Sequence, residues 1–431
     1  MKPGVVMRAV VARLIVAITI IAVFRIITPP RVTYTAGLQA PRFAVDPMWP
    51  KPLPNHWILG NVSGVAVDSE DHIWIVHRPN SLEPMETWAT TNPPASECCV
   101  PAPPVLEFDE EGNLLAHWSG EGAGHDWPVS MHGIAIDPDG NVWLGGNGNG
   151  APAAASAASS KGGAKGERGN AAPEQIEAPY HDTMVLKFRR DGKFLMQIGK
   201  AGQSKGSNDV ENFKGPAKIW FDKKTDEAYI ADGYGNHRVI VIDYKTGKYK
   251  RHWGAYGNRP TDDDLGPYVP RSKNVSQFRN PVHCAVLSND NLLYVCDRLN
   301  DRLQIFKPDG TFLSENYYYP NTLGAGSVWD VAFSADAKQT FIYLADGSND
   351  KIHILDRRTM KVLTSFGDGG RQPGEFYAVH SIATDSKGNL FTGETFRGQR
   401  IQKFVYQGLA AVTSDDQGVL WPKVAKSPLE K

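Results

Sequence analysis

The stretch MHGIAIDPDGNVWLGG, residues 131 to 146, decides the fold. An apolar alternation that starts at Met131 runs into a Pro-Asp-Gly-Asn turn, and a second alternation follows directly. A period of two is typical of a half-buried β-strand, and the turn residues between two such runs indicate a hairpin. Five other stretches can be laid over this hairpin: 64–78, 217–234, 283–298, 329–348 and 380–396.

Further strand-like runs usually follow each hairpin. Examples are RVIVIDYKTGKYKRHWG at 238–254 and RLQIFKPDGTFLSENYY at 302–318. Six repeats of a four-strand unit predict an all-β protein, a six-bladed β-propeller that spans residues 46–407. The last repeat ends at RIQKFVY without a clear fourth strand, so we expect RFAV at 42–45 to lend the missing edge strand and close the ring.

The segments outside the repeats differ in composition. Residues 8–27 form an apolar run behind a positive start, which indicates that residues 1–30 are a signal peptide or a membrane anchor. Cleavage and retention are both left open, and either places the propeller in the periplasm or outside the cell. Residues 31–45 are assigned as a linker, the Ala, Gly and Ser-rich insert 148–175 as disordered, and residues 408–431 as a loose C-terminal tail.

Composition limits the partners. The chain has 46 Lys and Arg against 47 Asp and Glu, a formal net charge of -1, so its surface has no general attraction for nucleic acid. The expected partners are a small-molecule or peptide substrate at the mouth of the central channel and, through the N-terminus, a membrane. In an exported protein the four cysteines can be oxidised. Cys284 and Cys296 would face each other across a hairpin, whereas Cys98 and Cys99 are either a vicinal pair or two free thiols.

The candidate metal ligands come from the repeat register. When the six units are aligned on the residue that ends the first strand, usually Asp, the position five places earlier is occupied in chain order by Ser63, His132, Ala217, His283, Trp329 and His380. The three histidines therefore fall in every second repeat. The first strand of each blade lines the central channel, so we expect three imidazoles to converge on one axis. Three imidazoles with an open fourth position are a known arrangement for catalytic zinc.

The second strand of each repeat returns to the face where these histidines begin. Arg78, Arg298 and Tyr234 follow the ends of such strands and share that face. A guanidinium suits a carboxylate, and a tyrosine beside cations suits proton transfer. The competing interpretations are an ion pair between blades for Arg298 and a packed rim aromatic for Tyr234. The pair His125-Asp126 is a weaker candidate for a supporting role, and His181-Asp182 is given no role.

At these residues the chain resembles the NHL-repeat propellers, and among them the peptidyl-α-hydroxyglycine α-amidating lyase domain, over about residues 45–407. HGIAIDPDGNVW, HCAV and HSIATDSKGNLF resemble the segments that supply its zinc histidines, which implies His132, His283 and His380 as ligands. ADGYGNHR resembles the segment with its catalytic tyrosine and implies Tyr234. IVHR and CDRLNDRLQIF resemble segments with two active-site arginines and imply Arg78 and Arg298.

The resemblance implies a zinc-dependent carbon-nitrogen lyase that cleaves a carbinolamide to an amide and glyoxylate. It also implies a structural calcium ion, which is left open because Ser381 stands where the family has an Asp after its last zinc histidine. The alternative function is a non-catalytic NHL propeller that binds a protein or polymer partner, since one fold serves many functions.

Overall fold

A computed structural model describes residues 37–122, 124–149, 181–270 and 275–422. Its six four-stranded antiparallel sheets are the blades of a β-propeller, as the repeats predict. Among the described residues the helices are short 3-10 turns at Pro79–Ser81, Pro84–Thr90, Ala255–Gly257 and Arg298–Asn300. None of these helices has the length and apolarity needed to cross a bilayer.

The strands are numbered in chain order: β1 Gln39–Asp46, β2 Trp57–Ile58, β3 Asn61–Val67, β4 Ile73–Arg78, β5 Val100–Pro101, β6 Val105–Phe108, β7 Leu114–Trp118, β8 Met131–Ile136, β9 Val142–Gly146, β10 Met184–Phe188, β11 Phe194–Gly199, β12 Pro216–Asp222, β13 Glu227–Asp232, β14 Arg238–Asp243, β15 Tyr249–Trp253, β16 Val282–Leu287, β17 Leu293–Asp297, β18 Arg302–Phe306, β19 Phe312–Tyr317, β20 Asp330–Phe333, β21 Phe341–Asp346, β22 Lys351–Asp356, β23 Lys361–Phe366, β24 Val379–Thr384, β25 Leu390–Glu394 and β26 Arg400–Ala411.

Each blade runs from an inner strand to an outer strand. Blade 1 is β3-β4-β6-β7, blade 2 β8-β9-β10-β11, blade 3 β12-β13-β14-β15, blade 4 β16-β17-β18-β19, blade 5 β20-β21-β22-β23 and blade 6 β24-β25-β26-β1. The inner strands β3, β8, β12, β16, β20 and β24 each contact the inner strands of both neighbouring blades, so six strands close a ring around the axis. Apolar cores fill the space between adjacent blades.

The recurring Asp at the end of the inner strand shapes the first turn. In blade 2, one oxygen of Asp137 accepts the backbone N–H groups of Asp139 and Asn141, and the other accepts the indole N–H of Trp143 at 3.0 Å. A carboxylate that holds its own turn in this way favours the tight hairpin over other connections. The Asp-Gly turn of the opening stretch is therefore a structural device of the repeat.

Blade 6 is completed from the other end of the chain. Strand β1 pairs antiparallel with β26, with Phe43 opposite Tyr406 and Val45 opposite Phe404. The Phe43 ring is buried against Tyr343, at 5.4 Å between ring centres. The prediction that RFAV supplies the missing edge strand is confirmed, and because β1 begins at Gln39 the second half of the assigned linker is part of the propeller.

The segment after residue 407 is not a loose tail. Strand β26 continues to Ala411, and the Val45 N–H donates to the Leu420 carbonyl at 2.9 Å while the Leu420 N–H donates to the Phe43 carbonyl at 2.8 Å. These bonds cover the edge of β1, which would otherwise expose unpaired backbone groups. The assigned signal or anchor at 1–30, residues 150–175 of the insert and residues 423–431 lie outside the described part of the chain.

Two disulfides lie in the described residues. Cys284 and Cys296 are directly opposite each other on β16 and β17 and are bonded, as the hairpin register predicts. Cys98 and Cys99 form the vicinal disulfide that the sequence leaves open. The first bridge ties together the inner hairpin of blade 4, and the second lies in the insertion between β4 and β6.

We predict that replacing Cys284 and Cys296 by Ala lowers the free energy of unfolding by about 3 kcal/mol, because the bridge closes a loop of roughly a dozen residues in the unfolded chain. Urea denaturation of the oxidised protein measures this change. The matched control is the Cys98→Ala, Cys99→Ala pair, which closes no such loop and should change stability far less. Equal losses for the two pairs would contradict the loop-entropy explanation.

Candidate metal centre

Three imidazoles meet on the propeller axis. His132, His283 and His380 lie near the start of the inner strands of blades 2, 4 and 6, and their ring centres are 4.7 to 5.0 Å apart. All three side chains are buried, and one ligand nitrogen from each lies within 4.8 Å of the others. The convergence expected from the repeat register is present in the structure.

A local irregularity aims each histidine at the axis. The pairing between first and second strands shifts register at each of these positions, between Met131 and Ile134, between Val282 and Cys284 and between Val379 and Ser381. A bulge of this kind twists the strand and redirects the side chain that it carries. The three imidazoles therefore point toward one another in the central channel instead of packing between neighbouring blades.

Hydrogen bonds to backbone carbonyl groups of the next blade fix the imidazole tautomers. Nδ1 of His132 lies 3.0 Å from the Ala217 carbonyl oxygen, Nδ1 of His380 lies 2.8 Å from the Ser63 carbonyl oxygen, and Nδ1 of His283 contacts the Trp329 carbonyl oxygen. A carbonyl oxygen only accepts, so each Nδ1 carries the proton and each Nε2 presents a lone pair.

The lone pairs face one another across the axis. The Nε2 atoms of His283 and His380 are 3.2 Å apart, and two acceptors at that distance cannot satisfy each other. A divalent cation held by the three Nε2 atoms would resolve this contact and leave further coordination positions open. The donor set therefore fits a three-histidine metal site.

Electrostatics favour the neutral imidazole, the form that binds a metal. Burial lowers the pKa of His132, His283 and His380 well below the ordinary value of 6.5, and the positive charges of Arg78 and Arg298 act in the same direction on His132 and His380. All three remain unprotonated at neutral pH.

Tyr234 lies against this ring. Its phenol oxygen is 2.8 Å from Nε2 of His132, 3.1 Å from Nε2 of His283 and 3.2 Å from Nη1 of Arg298. The residue follows β13, and its backbone N–H donates to the Gly215 carbonyl at 3.1 Å. One oxygen that can give or take a proton is thereby placed within reach of anything held by the imidazoles.

Arg78 and Arg298 bring half-buried positive charge to the same face. Arg78 donates through Nε to the Met131 carbonyl at 2.7 Å, and the Arg298 guanidinium carbon lies 4.2 Å from the centre of the Trp329 ring. Nη2 of Arg78 donates to Oδ1 of Asn147 at 3.0 Å and Nε of Arg298 donates to the Ala325 carbonyl at 2.8 Å, and neither guanidinium forms an ion pair with a carboxylate of the described residues. Burial lowers the pKa of both from its ordinary value, with the neighbouring Tyr234 oxygen acting in the opposite direction. An ion pair between blades therefore does not account for Arg298.

A cavity of about 600 Å³ opens at the end of the propeller where the inner strands begin, and none of the six predicted site residues lines it. It lies where blades 5, 6 and 1 meet and includes Ala378, two residues before His380, and Asn61, two residues before Ser63. Tyr377 and the exposed Phe396 contribute aromatic surface to it.

The six predicted site residues are thus brought together, but two secondary assignments from the sequence were wrong. His125 stacks on Phe194 and contacts the Gly120 carbonyl, away from the axis. Asp182 instead supports the site, because its oxygens accept the backbone N–H groups of Val129 and Ser130 and so hold the chain before β8. No short-range sequence pattern marks this contact.

Calcium does not fit beside the last histidine. Ser381 contacts the carboxylate of Asp330 at 3.3 Å, and the Lys218 ammonium lies 2.6 Å from the same carboxylate. Calcium requires several free oxygen ligands, whereas this carboxylate is neutralised by a side-chain cation. The calcium ion that the resemblance implies has no support at this position.

Fold and site together define a class: a six-bladed β-propeller with a three-histidine centre on its axis. Its homologues include a peptidyl-α-hydroxyglycine α-amidating lyase and an NHL repeat-containing protein. No protein-family model matches the chain.

The similarities are distant. Peptidyl-α-hydroxyglycine α-amidating lyase 1 of Drosophila melanogaster is 24% identical over 380 residues, covering 84% of this chain and 59% of the fly protein. Peptidyl-glycine α-amidating monooxygenase of Mus musculus is 24% identical over 259 residues, covering 59% of this chain and 22% of the mouse protein. The chain thus spans less than two thirds of either relative. NHL repeat-containing protein 3 of Mus musculus is 23% identical, with 85% of both chains covered. A streptogramin B lyase structure has a TM-score of 0.44 at 12% identity and covers 86% of this chain and 98% of its own.

His77, which precedes Arg78, is a buried neutral imidazole that ties the insertion to blade 1. Its Nδ1 accepts the Gly60 N–H at 3.1 Å, and its Nε2 contacts the Pro103 carbonyl at 2.9 Å. Burial lowers its pKa to about 4, against the opposing effect of the Pro103 hydrogen bond. Protonation would place a second donor against the Gly60 N–H.

We predict that His77 makes the protein less stable as the pH falls. Between pH 6.5 and 4 the unfolded chain binds a proton at this residue that the folded chain does not, so the free energy of unfolding falls by about 3 kcal/mol across that window. His77→Gln should lack this component, which urea titrations of both proteins at several pH values would measure. Superimposable pH profiles would refute the assignment.

Proposed function

We propose that the protein is a zinc-dependent lyase that cleaves the C–N bond of a carbinolamide, as in a peptidyl α-hydroxyglycine, to an amide and glyoxylate. The observation that carries this proposal is the meeting of three Nε2 lone pairs and one phenol oxygen, with two half-buried guanidinium groups close enough to act electrostatically on His132. The name of the fly relative supports the substrate class.

His132, His283 and His380 would hold the zinc ion through Nε2. When bound there, zinc supplies a Lewis acid toward the hydroxyl oxygen of the substrate. The hydrogen bonds from Nδ1 to backbone carbonyl groups orient the three rings for this task, as is usual for histidine ligands.

Arg78 and Arg298 bind the substrate carboxylate in this proposal. Their side chains are half-buried, and a guanidinium that is partly removed from water binds a carboxylate more strongly than a fully exposed one does. This contact would orient the hydroxyl-bearing carbon toward the Tyr234 oxygen.

Tyr234 carries the proton. Its ionised oxygen takes the proton of the substrate hydroxyl, and the electron pair left on that oxygen forms the carbonyl of glyoxylate as the C–N bond breaks. The departing amide nitrogen takes the proton back from Tyr234. Atoms and charge balance without water or a redox partner, and the tyrosine is regenerated.

The protein would act outside the cytoplasm. Two disulfides within the propeller suit an oxidising compartment, and the apolar run at residues 8–27 suits export or anchoring. Fractionation of the producing cell tests this point, and recovery of the full chain in the cytosol with reduced cysteines would refute it.

We predict that the purified chain binds about one zinc ion and that His132→Ala lowers the zinc content several-fold, because one of three ligands is lost. Elemental analysis after dialysis measures it. The control is His353→Ala, which removes another buried histidine that contacts Ser365 and Asp346 away from the axis. A zinc content that is equally low in the wild type, or unaltered by His132→Ala, would favour a non-catalytic propeller that binds a partner.

We predict that Tyr234→Phe lowers glyoxylate release from an α-hydroxyglycine peptide by at least about 100-fold, because the proton carrier is lost, while zinc content is retained. A colorimetric glyoxylate assay on purified protein measures it. Tyr256→Phe is the control, since that phenol contacts Glu315 and Arg302 and lies outside the centre. No glyoxylate from the wild type would exclude this substrate class, and an active Tyr234→Phe would exclude the role of Tyr234.

A further inference from the structure

A chain of polar side chains crosses the channel beside the three imidazoles of His132, His283 and His380. Lys218 of blade 3 contacts both carboxylate oxygens of Asp330 in blade 5, at 2.6 and 2.7 Å. The same carboxylate accepts the Ser381 hydroxyl at 3.3 Å and the Ile382 N–H at 3.1 Å, both in blade 6. The Ser381 oxygen in turn accepts the Val65 N–H of blade 1 at 3.1 Å. Four blades are joined by this link.

Each side chain of the link follows a residue that holds or supplies an imidazole. Lys218 comes directly after Ala217, whose carbonyl accepts from His132, and Asp330 comes directly after Trp329, whose carbonyl accepts from His283. Ser381 comes directly after His380 itself. A shift of any of these side chains would therefore rotate a peptide group that orients the ring.

The contribution of the Lys218–Asp330 pair to the free energy of unfolding does not by itself explain why the pair is present. The Asp330 side chain is 3% exposed and that of Lys218 is 15% exposed, so both charges are largely removed from water. Desolvation of a buried ion pair commonly cancels its attraction, and apolar residues of similar volume would serve a core as well. A geometric role explains the pair better than a packing role.

The spacing of the backbone beside His132 leaves little room for the Ala217 peptide to move. A Cβ atom at Gly133, next to His132, would lie 2.2 Å from the Ala217 carbonyl oxygen, so blades 2 and 3 approach more closely there than any side chain permits. The peptide that carries this carbonyl also begins Lys218. Its position is fixed on one side by Gly133 and on the other by the reach of Lys218 to Asp330.

We propose that Lys218, Asp330 and Ser381 are positioning residues that keep the carbonyl groups of Ala217 and Trp329 aimed at Nδ1 of His132 and His283. The link acts on imidazole orientation, and only the zinc part of its test rests on the function proposed above. The three residues touch neither substrate nor metal in this account.

The test compares Lys218→Met with Lys187→Met in the full chain. Lys187 is a matched control, because it is similarly buried and pairs with Asp137 at 2.8 Å in blade 2, on a strand that does not line the channel. In metal-free protein labelled with ¹⁵N-histidine, NMR should show His132 and His283 as single Nδ1–H tautomers in the wild type and in Lys187→Met. Lys218→Met should show mixed tautomers for both. If Lys218→Met does not fold, Ser381→Ala, which removes no charge but a hydrogen bond to Asp330, should produce the same mixing at His283.

Zinc affinity provides the second measurement. Competition with a chromogenic chelator should show binding about 10-fold or more weaker in Lys218→Met, as for other partners of metal-bound histidines, and within twofold of the wild type in Lys187→Met. Wild-type tautomers in Lys218→Met would overturn the proposal, as would equal effects of the two lysine variants on zinc affinity. If the wild type binds no zinc, the proposed function fails and the NMR result alone decides on the link.

Discussion

The hydrogen bond from each imidazole Nδ1 to a carbonyl of the following blade is the interaction on which the centre depends. It joins blade 2 to blade 3, blade 4 to blade 5 and blade 6 to blade 1, so histidine blades alternate with acceptor blades around the ring. The alternation requires an even number of blades and a closed ring. Strand β1 supplies that closure, and the chemistry of the axis therefore depends on an outer strand contributed by the far end of the chain.

Burial governs the electrostatics of the same region. The three imidazoles are neutral because they are desolvated, while Arg78 and Arg298 keep positive charge beside them. A site with three Nε2 lone pairs on the axis favours a metal ion there, and the guanidinium groups beside it favour an anion next to that metal ion. Tyr234 lies between the two, in contact with both His132 and Arg298. In the function proposed above, the arrangement would divide metal binding, anion binding and proton transfer among different side chains.

The sequence predicts the blades and the six site residues because equivalent positions in successive repeats occupy equivalent places around the propeller axis. Six residues were selected by register, and the structure brings all six together. The sequence could not reveal contacts made through the backbone: Ala217 and Ser63 occupy the same register but act through carbonyl groups, which their side chains do not signal. Asp182 and the Lys218–Asp330 pair join distant blades, so no local pattern marks them. The tail beyond residue 407 was mistaken for loose chain because its two strand-edge hydrogen bonds need no apolar alternation.

The central claim is that the three Nε2 atoms hold one metal ion on the propeller axis. Diffraction from crystals of the untreated protein, measured on both sides of the zinc absorption edge, tests it most directly. We expect one anomalous peak on the axis, about 2.0–2.1 Å from Nε2 of His132, His283 and His380, that disappears below the edge. Full-occupancy imidazoles without a peak, or a peak bound elsewhere in the chain, would contradict it.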